Sequence, residues 1–86
     1  MPRVSYFYGI AIYLYYREHQ PPHFHAIYGD DEVVVAIDSL AVLTGRLPGR
    51  ALGLVMEWAS LRQDDLRQAW QQVVAQEPIE AIEPLA

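Results

Sequence analysis

The sequence of 86 residues contains no cysteine and no apolar run long enough to cross a bilayer. Without cysteine the chain can form neither a disulfide framework nor a thiolate metal site. The segment from Met1 to Ser5 lacks the apolar run of a signal peptide, and no later segment approaches the ~18–20 apolar residues of a membrane span. We therefore expect a cytoplasmic protein that makes no use of a membrane.

Positive charge is also scarce, because all six basic residues are arginine and eleven acidic residues bring the net charge to −5. Proteins that bind nucleic acid usually carry a basic surface, since much of their affinity comes from neutralising phosphates. Nucleic-acid binding by the lone chain is therefore not expected. Arg46 and Arg50 could still supply a local basic patch within a larger complex.

The length allows one domain, which we place over residues 1–86. Such a domain has a small core relative to its surface, so a partner can contribute to its stability. The composition is 52% hydrophobic, with six tyrosines and two tryptophans, and these aromatic side chains suit interfaces. We expect a small partner protein, a homo-oligomer, or both.

The first half of the chain alternates apolar and polar residues with the two-residue period of β-strands. Four segments follow this pattern: 10–16, 24–28, 32–37 and 41–44. The turn sequence Gly29-Asp30-Asp31 separates the second segment from the third and predicts a hairpin. The pattern therefore predicts an antiparallel meander of about four strands within residues 3–46.

At Pro48 the apolar period changes to 3.6, which indicates helix. One unbroken helix would place Arg62 and Asp65 within its apolar stripe, so we predict a break near Gln63. The prediction is one broken helix or two consecutive helices, about 48–61 and 64–76. An extended tail, 77–86, would join the sheet edge or dock on a partner. The fold class is α+β, with the helical part (48–76) packed on one face of the meander.

All three histidines lie within seven residues, in the segment from His19 to His25. Pro21 and Pro22 exclude helix there and stiffen the backbone. Because alternate residues of a strand face opposite ways, His23 and His25 should project together from the second predicted strand, away from Phe24. The sequence therefore predicts two imidazoles held side by side.

Imidazole is a good ligand for zinc and similar divalent ions. His23 and His25 would provide two ligands and His19, on the preceding loop, a third. Nearby carboxylates could also take part: Glu18, Asp30, Asp31 and Glu32. Three protein ligands with one open position would bind and activate water.

Two other roles for the histidines remain open at this stage. In the first, His23 and His25 act as general acid and base without a metal, and Arg46 or Arg50 steadies the charge that develops on the substrate. In the second, the pair is structural, with one ring bound to a loop carbonyl and the other to a surface carboxylate. The sequence contains no recognisable nucleophile motif or cofactor-binding motif.

The segment Pro21-Pro22-His23-Phe24-His25, between a tyrosine-rich strand and a strand that ends at Gly29, resembles the DUF4160 family of small prokaryotic proteins. So do the start Met1-Pro2-Arg3-Val4-Ser5, the run Gly45-Arg46-Leu47-Pro48-Gly49-Arg50-Ala51-Leu52 and the helical half with two tryptophans. The family's function is unknown. The resemblance implies a compact α+β domain, often encoded beside a small protein of the DUF2442 type in an arrangement like a toxin–antitoxin pair. Some members have Glu rather than His in the loop before the prolines, which favours His23 and His25 over His19 as ligands.

The first functional hypothesis is a protein-binding module of such a two-gene system, with His23 and His25 on a functional face. The alternative is a small metal-dependent or acid/base hydrolase, for example a ribonuclease toxin. A third hypothesis is a transcriptional regulator that reads DNA with its helices. That role needs an exposed polar helix face, for which the chain offers only a few side chains: Arg62, Gln63, Arg67 and Gln68.

Overall fold

The structure, a computed structural model, describes residues 2–86 and has an α+β fold, as predicted. Five antiparallel strands form one sheet in chain order. The strands are β1 (Arg3–Phe7), β2 (Ile10–Tyr13), β3 (His23–Tyr28), β4 (Asp31–Ala36) and β5 (Val42–Gly45). Two helices follow, α1 (Gly49–Leu61) and α2 (Gln63–Val74). Within residues 2–86, neither helix has the length and apolar character needed to span a bilayer.

The sheet has one strand more than the four predicted, because a tight turn joins an additional strand, β1, to the first predicted segment. Tyr8 and Gly9 form this turn with positive φ angles of 50° and 79°, and Phe7 pairs with Ile10 across it. Two positive φ angles match the type I′ turn of hairpins, whose first position is usually Asn, Asp or Gly. Tyrosine at that position gives no turn signal. The second strand also ends at Tyr13, earlier than the predicted Tyr16.

One face of the sheet packs on α1 and forms the core. Ile12, Phe24 and Val35 on this face are completely buried. The ring of Trp58 in α1 lies 5.3 Å from that of Phe7 and 5.8 Å from that of Phe24, measured between centroids. The alternation of the strands therefore places the core where the sequence predicts it.

The helical half is divided into two helices, as predicted, with the break at Arg62. The backbone of Arg62 (φ −116°, ψ 24°) leaves helical geometry. The side-chain amide of Gln63 then donates to the carbonyls of Ile37 (2.8 Å) and Asp38 (2.9 Å), just after β4. Arg67 forms an ion pair with the same Asp38 at 2.8 Å. These contacts hold α2 at the end of the sheet where β4 ends and β3 begins.

The tail packs on the edge strand β1. The amide of Ile82 donates to the carbonyl of Val4 at 2.7 Å, and the Ile82 side chain is buried. The indole N–H of Trp58 donates to the carbonyl of Glu83 at 2.8 Å. Of the two roles predicted for the tail, the structure shows the one at the sheet edge.

Alanine substitutions at Gly45 and Gly53 should change the free energy of unfolding in opposite directions. Gly45 has a φ of +77°, and a Cβ there would collide with the backbone carbonyl of Glu32, whereas a Cβ at Gly53 in α1 meets nothing within 4 Å. Gly45→Ala should lower the free energy of unfolding by about 2 kcal/mol or more. Gly53→Ala should raise it by about 0.5–1 kcal/mol. Urea unfolding followed by circular dichroism measures both, and equal effects of the two changes would contradict the prediction.

Candidate metal centre

Strand β3 holds the two histidines of the candidate site on one face of the sheet, as predicted. Phe24 and Ala26 between and after them are completely buried in the core, so His23 and His25 project from the opposite face. Their ring centroids are 5.3 Å apart. The regular geometry of one strand is therefore enough to bring the two imidazoles together.

Glu18, in the loop between β2 and β3, completes a cluster with the two histidines. Its Oε1 atom lies 2.8 Å from Nε2 of His25 and 3.6 Å from Nε2 of His23. One ligand atom from each of the three residues lies within 4.8 Å of the others. One carboxylate and two imidazoles therefore converge on a single point.

The second nitrogen of each ring is bound by an acceptor outside the cluster. Nδ1 of His23 lies 2.7 Å from the carbonyl oxygen of Pro21, and Nδ1 of His25 lies 2.8 Å from Oε2 of Glu32. Neither oxygen can donate, so both Nδ1 atoms must carry the hydrogen. Nε2 is then the atom that each ring presents to the cluster, where Nε2 of His25 donates to Glu18 at 2.8 Å, and a bound ion would take the place of that hydrogen.

Aromatic side chains enclose the cluster from two sides. The His23 ring packs against Trp70 of α2, with centroids 5.2 Å apart, and His23 is only 7% exposed. The His25 ring meets the ring of Tyr15 edge to face at 4.6 Å. The rings are thus less open to solvent than residues on a free sheet face, which reduces competition from water.

The electrostatics keep Glu18 ionised and Tyr15 neutral. Burial alone would raise the pKa of Glu18, but the hydrogen bond from His25 and the charges of both imidazoles outweigh it and hold that pKa below its ordinary value. Burial raises the pKa of Tyr15, and the nearby Glu32, Tyr13 and Glu18 raise it further. The cluster therefore presents a carboxylate as ligand, with a neutral phenol beside it.

The donor set and its spacing fit a tetrahedral divalent ion. Bonds of about 2.0–2.1 Å from zinc to nitrogen or oxygen place neighbouring ligand atoms about 3.4 Å apart. The distances of 2.8 and 3.6 Å from Glu18 Oε1 to the two Nε2 atoms lie on either side of that value. Each histidine donates its other N–H to an oxygen, which is the usual outer contact of a metal-bound imidazole. Small side-chain movements would be enough to hold an ion.

His19, predicted as the third ligand, lies outside the cluster. It is exposed and lines a neighbouring cavity, and Glu18 provides the third ligand atom in its place. Asp30 and Asp31 lie at the tip of the β3–β4 hairpin and do not belong to the cluster either. Of the four carboxylates near the histidines in sequence, Glu18 and Glu32 are the two that contact them.

Arg46 and Arg50 are not brought to the histidines. Arg50 lines a separate groove of about 300 Å³ with Tyr8 and Tyr28. The backbone amide of Arg46 donates to the carbonyl of Glu32 at 3.0 Å, but its side chain is exposed. Within residues 2–86, no ion pair or side-chain hydrogen bond joins either arginine to the cluster. Their predicted catalytic role receives no support from these positions.

Sequence reasoning missed the packing of Trp70 and Tyr15 around the two rings. The sequence did contain a signal for Tyr15. It lies two residues after Tyr13, and Tyr13 pairs with His25 in the register of β2 and β3. Strand β2 ends at Tyr13, but the rings of Tyr13 and Tyr15 still stack with centroids 5.8 Å apart, so Tyr15 keeps the face of Tyr13 and lies near His25. Trp70 had no such signal, since its position depends on how α2 docks.

Most of the chain is similar to a known protein family. The sequence profile described as domain of unknown function DUF4160 matches residues 9–71. The chain belongs to the DUF4160 family. The matched region contains the whole cluster, from Glu18 in the loop to Trp70 in α2. No significant similarity was found to a curated protein or to a solved structure.

Proposed function

We propose that this DUF4160 protein binds a divalent metal ion such as zinc through Glu18, His23 and His25. The observation that carries the proposal is the convergence of both Nε2 atoms on one Glu18 oxygen, while both Nδ1 hydrogens are donated elsewhere. The two outer contacts alone, to the Pro21 carbonyl and the Glu32 carboxylate, would also suit a structural pair, so the shared Glu18 oxygen is the feature that favours a metal. The ligand atoms would be Oε1 of Glu18 and the two Nε2 atoms.

The proposed centre has the composition of a catalytic rather than a structural site. Structural zinc sites use four protein ligands, whereas catalytic sites with two histidines and one glutamate leave the fourth position for water. A bound zinc ion would lower the pKa of that water to about 7 and supply hydroxide at neutral pH. We therefore propose a small metal-dependent hydrolase as the activity, with Glu32 orienting His25.

Zinc titration of the purified protein tests the proposal. We expect binding of one ion per chain by calorimetry, because residues 2–86 contain one such cluster of three ligands. Zinc at 100 times its Kd should stabilise the fold by about 2.7 kcal/mol, since the unfolded chain does not hold the three ligands together. Thermal unfolding with and without zinc measures this. Absence of both the heat of binding and the stabilisation would contradict the proposal.

A second candidate function, a protein-binding module, is supported by exposed aromatic surface. Tyr6 and Tyr8 are 53% and 60% exposed, and strand β5 leaves one edge of the sheet open with no charged residue or proline in it. Such edges and aromatic side chains are common binding surfaces. The toxin–antitoxin-like role with a DUF2442-type partner stays a prediction, which co-purification from the native host would test.

A further inference from the structure

The loop that carries Glu18 also forms one wall of a cavity beside the metal centre. The cavity measures about 370 Å³, within the range of small-molecule sites. The residues Arg17, Glu18, His19 and Gln20 of this loop line the cavity together with Val73, Val74 and Gln76 at the end of the helical part. The lining is therefore mostly polar, with an apolar patch at Val73 and Val74, and it shares Glu18 with the cluster.

Arg17 brings a positive charge to this cavity and forms no ion pair with the described residues there. No ion pair within residues 2–86 includes Arg17, although the chain carries an excess of acidic residues. Its φ of 67° lies in the left-handed region, which arginine rarely adopts. The fold thus holds an unpaired guanidinium directly before the ligand Glu18.

We infer that this cavity binds the substrate of the metal centre, and that the substrate is a small organic anion with an apolar body. The inference rests on the proposed metal site. A divalent ion offsets the charges of Glu18 and Glu32, so that Arg17 leaves the loaded site with surplus positive charge. An anionic group would then bridge the open metal position and the guanidinium, while its apolar body contacts Val73 and Val74.

The metal-free protein should not bind such an anion. Without the ion, the carboxylate of Glu18 lines the cavity and repels negative charge, with Glu32 adding a second negative charge behind His25. Metal and anion binding are therefore coupled, and each should raise the affinity for the other by the same factor. This coupling distinguishes a substrate site from an exposed arginine that attracts anions in any state.

Cobalt provides the test, because its visible spectrum changes when a ligand enters its coordination sphere. Cobalt is titrated first, to measure the metal affinity of each protein. Acetate and butyrate are then added to the cobalt-loaded protein. Butyrate should bind about 15-fold more tightly than acetate, since each buried CH₂ is worth about fourfold in affinity. Neither acid should bind to the metal-free protein by calorimetry.

Arg17→Gln should weaken butyrate binding about tenfold or more, because a charge-assisted hydrogen bond is lost. Cobalt affinity should stay the same, since Arg17 is not a ligand. Arg3→Gln is the matched control, as it removes the same charge from β1, where Arg3 packs over Tyr6. Butyrate should bind this control as tightly as it binds the unchanged protein.

The outcomes separate this inference from the proposal on which it rests. If cobalt binds but the loaded protein has equal affinity for acetate and butyrate, the substrate site is wrong and the metal site remains. The same holds if Arg17→Gln leaves butyrate binding unchanged. Failure to bind cobalt overturns both. Butyrate binding to the metal-free protein overturns the coupling and with it the proposed role of the cavity.

Discussion

Replacing His25 with alanine is expected to weaken zinc binding by about two to three orders of magnitude. A zinc site with four protein ligands supplies about 10–16 kcal/mol, or about 2.5–4 kcal/mol for each ligand. The change removes one of only three protein ligands, and it also leaves Glu18 without its closest hydrogen-bond partner, at 2.8 Å. Calorimetric zinc titration measures the loss, and circular dichroism establishes that the variant is folded.

His19→Ala is the matched control for this prediction. His19 lies in the same segment but outside the cluster, so its removal should change zinc affinity by less than about threefold. Glu32→Gln should fall between the two, because it removes the negative charge from the outer partner of His25 but leaves an acceptor oxygen, and changes to such partners typically cost about 10- to 100-fold in affinity. Equal losses for His19→Ala and His25→Ala would show that zinc binds nonspecifically to the histidine-rich segment.

Much of this site could be predicted, because a hairpin of regular strands leaves few choices. The turn at Gly29 and Asp30 fixes the register in which Tyr28 pairs with Asp31 and His25 with Val34. Diagonal neighbours two residues from a paired position lie within reach of long side chains. The register therefore places Glu32 beside His25, and the sequence already contained the reason for this contact.

The choice of Glu18 over His19 could not be predicted in the same way. Both lie in a loop without repeating backbone geometry, and adjacent residues of a loop can point in unrelated directions. Arg17 turns the chain with a positive φ that its side chain does not encode. Which of the two neighbours faces the histidines therefore depends on the folded loop rather than on a periodic pattern.

The packing of Trp70 against His23 could not be predicted from the sequence either. The helical period correctly predicts that Trp70 lies on the buried stripe of α2, but not which residues it meets. Its contact with His23 follows from the anchoring of α2 by Gln63 and Arg67 at Ile37 and Asp38. These polar contacts link residues more than 20 positions apart, so no local sequence pattern indicates them.

Replacing Trp58 with alanine is expected to have the largest effect on stability, about 3–5 kcal/mol. Trp58 is completely buried and joins three parts of the fold, since it packs on Phe7 of β1 and Phe24 of β3 and donates to the carbonyl of Glu83 in the tail. Its removal leaves a large cavity and an unpaired carbonyl. A small domain has a free energy of unfolding of about 5–15 kcal/mol, so this variant should be only marginally stable.

Trp58→Phe separates the two contributions of this side chain. The phenyl ring retains much of the packing but cannot donate to Glu83, so the loss should be smaller, about 1–2 kcal/mol. Leu61→Ala is the matched control in the same helix, because Leu61 is 64% exposed and its change should stay within about 0.5 kcal/mol. Urea unfolding followed by the fluorescence of the remaining Trp70 measures the Trp58 variants, and circular dichroism measures Leu61→Ala. If Trp58→Ala lowers the free energy of unfolding by less than 1 kcal/mol, this core does not hold the sheet and α1 together. Strand β3 would then lack the rigid support on which the alignment of His23 and His25 depends.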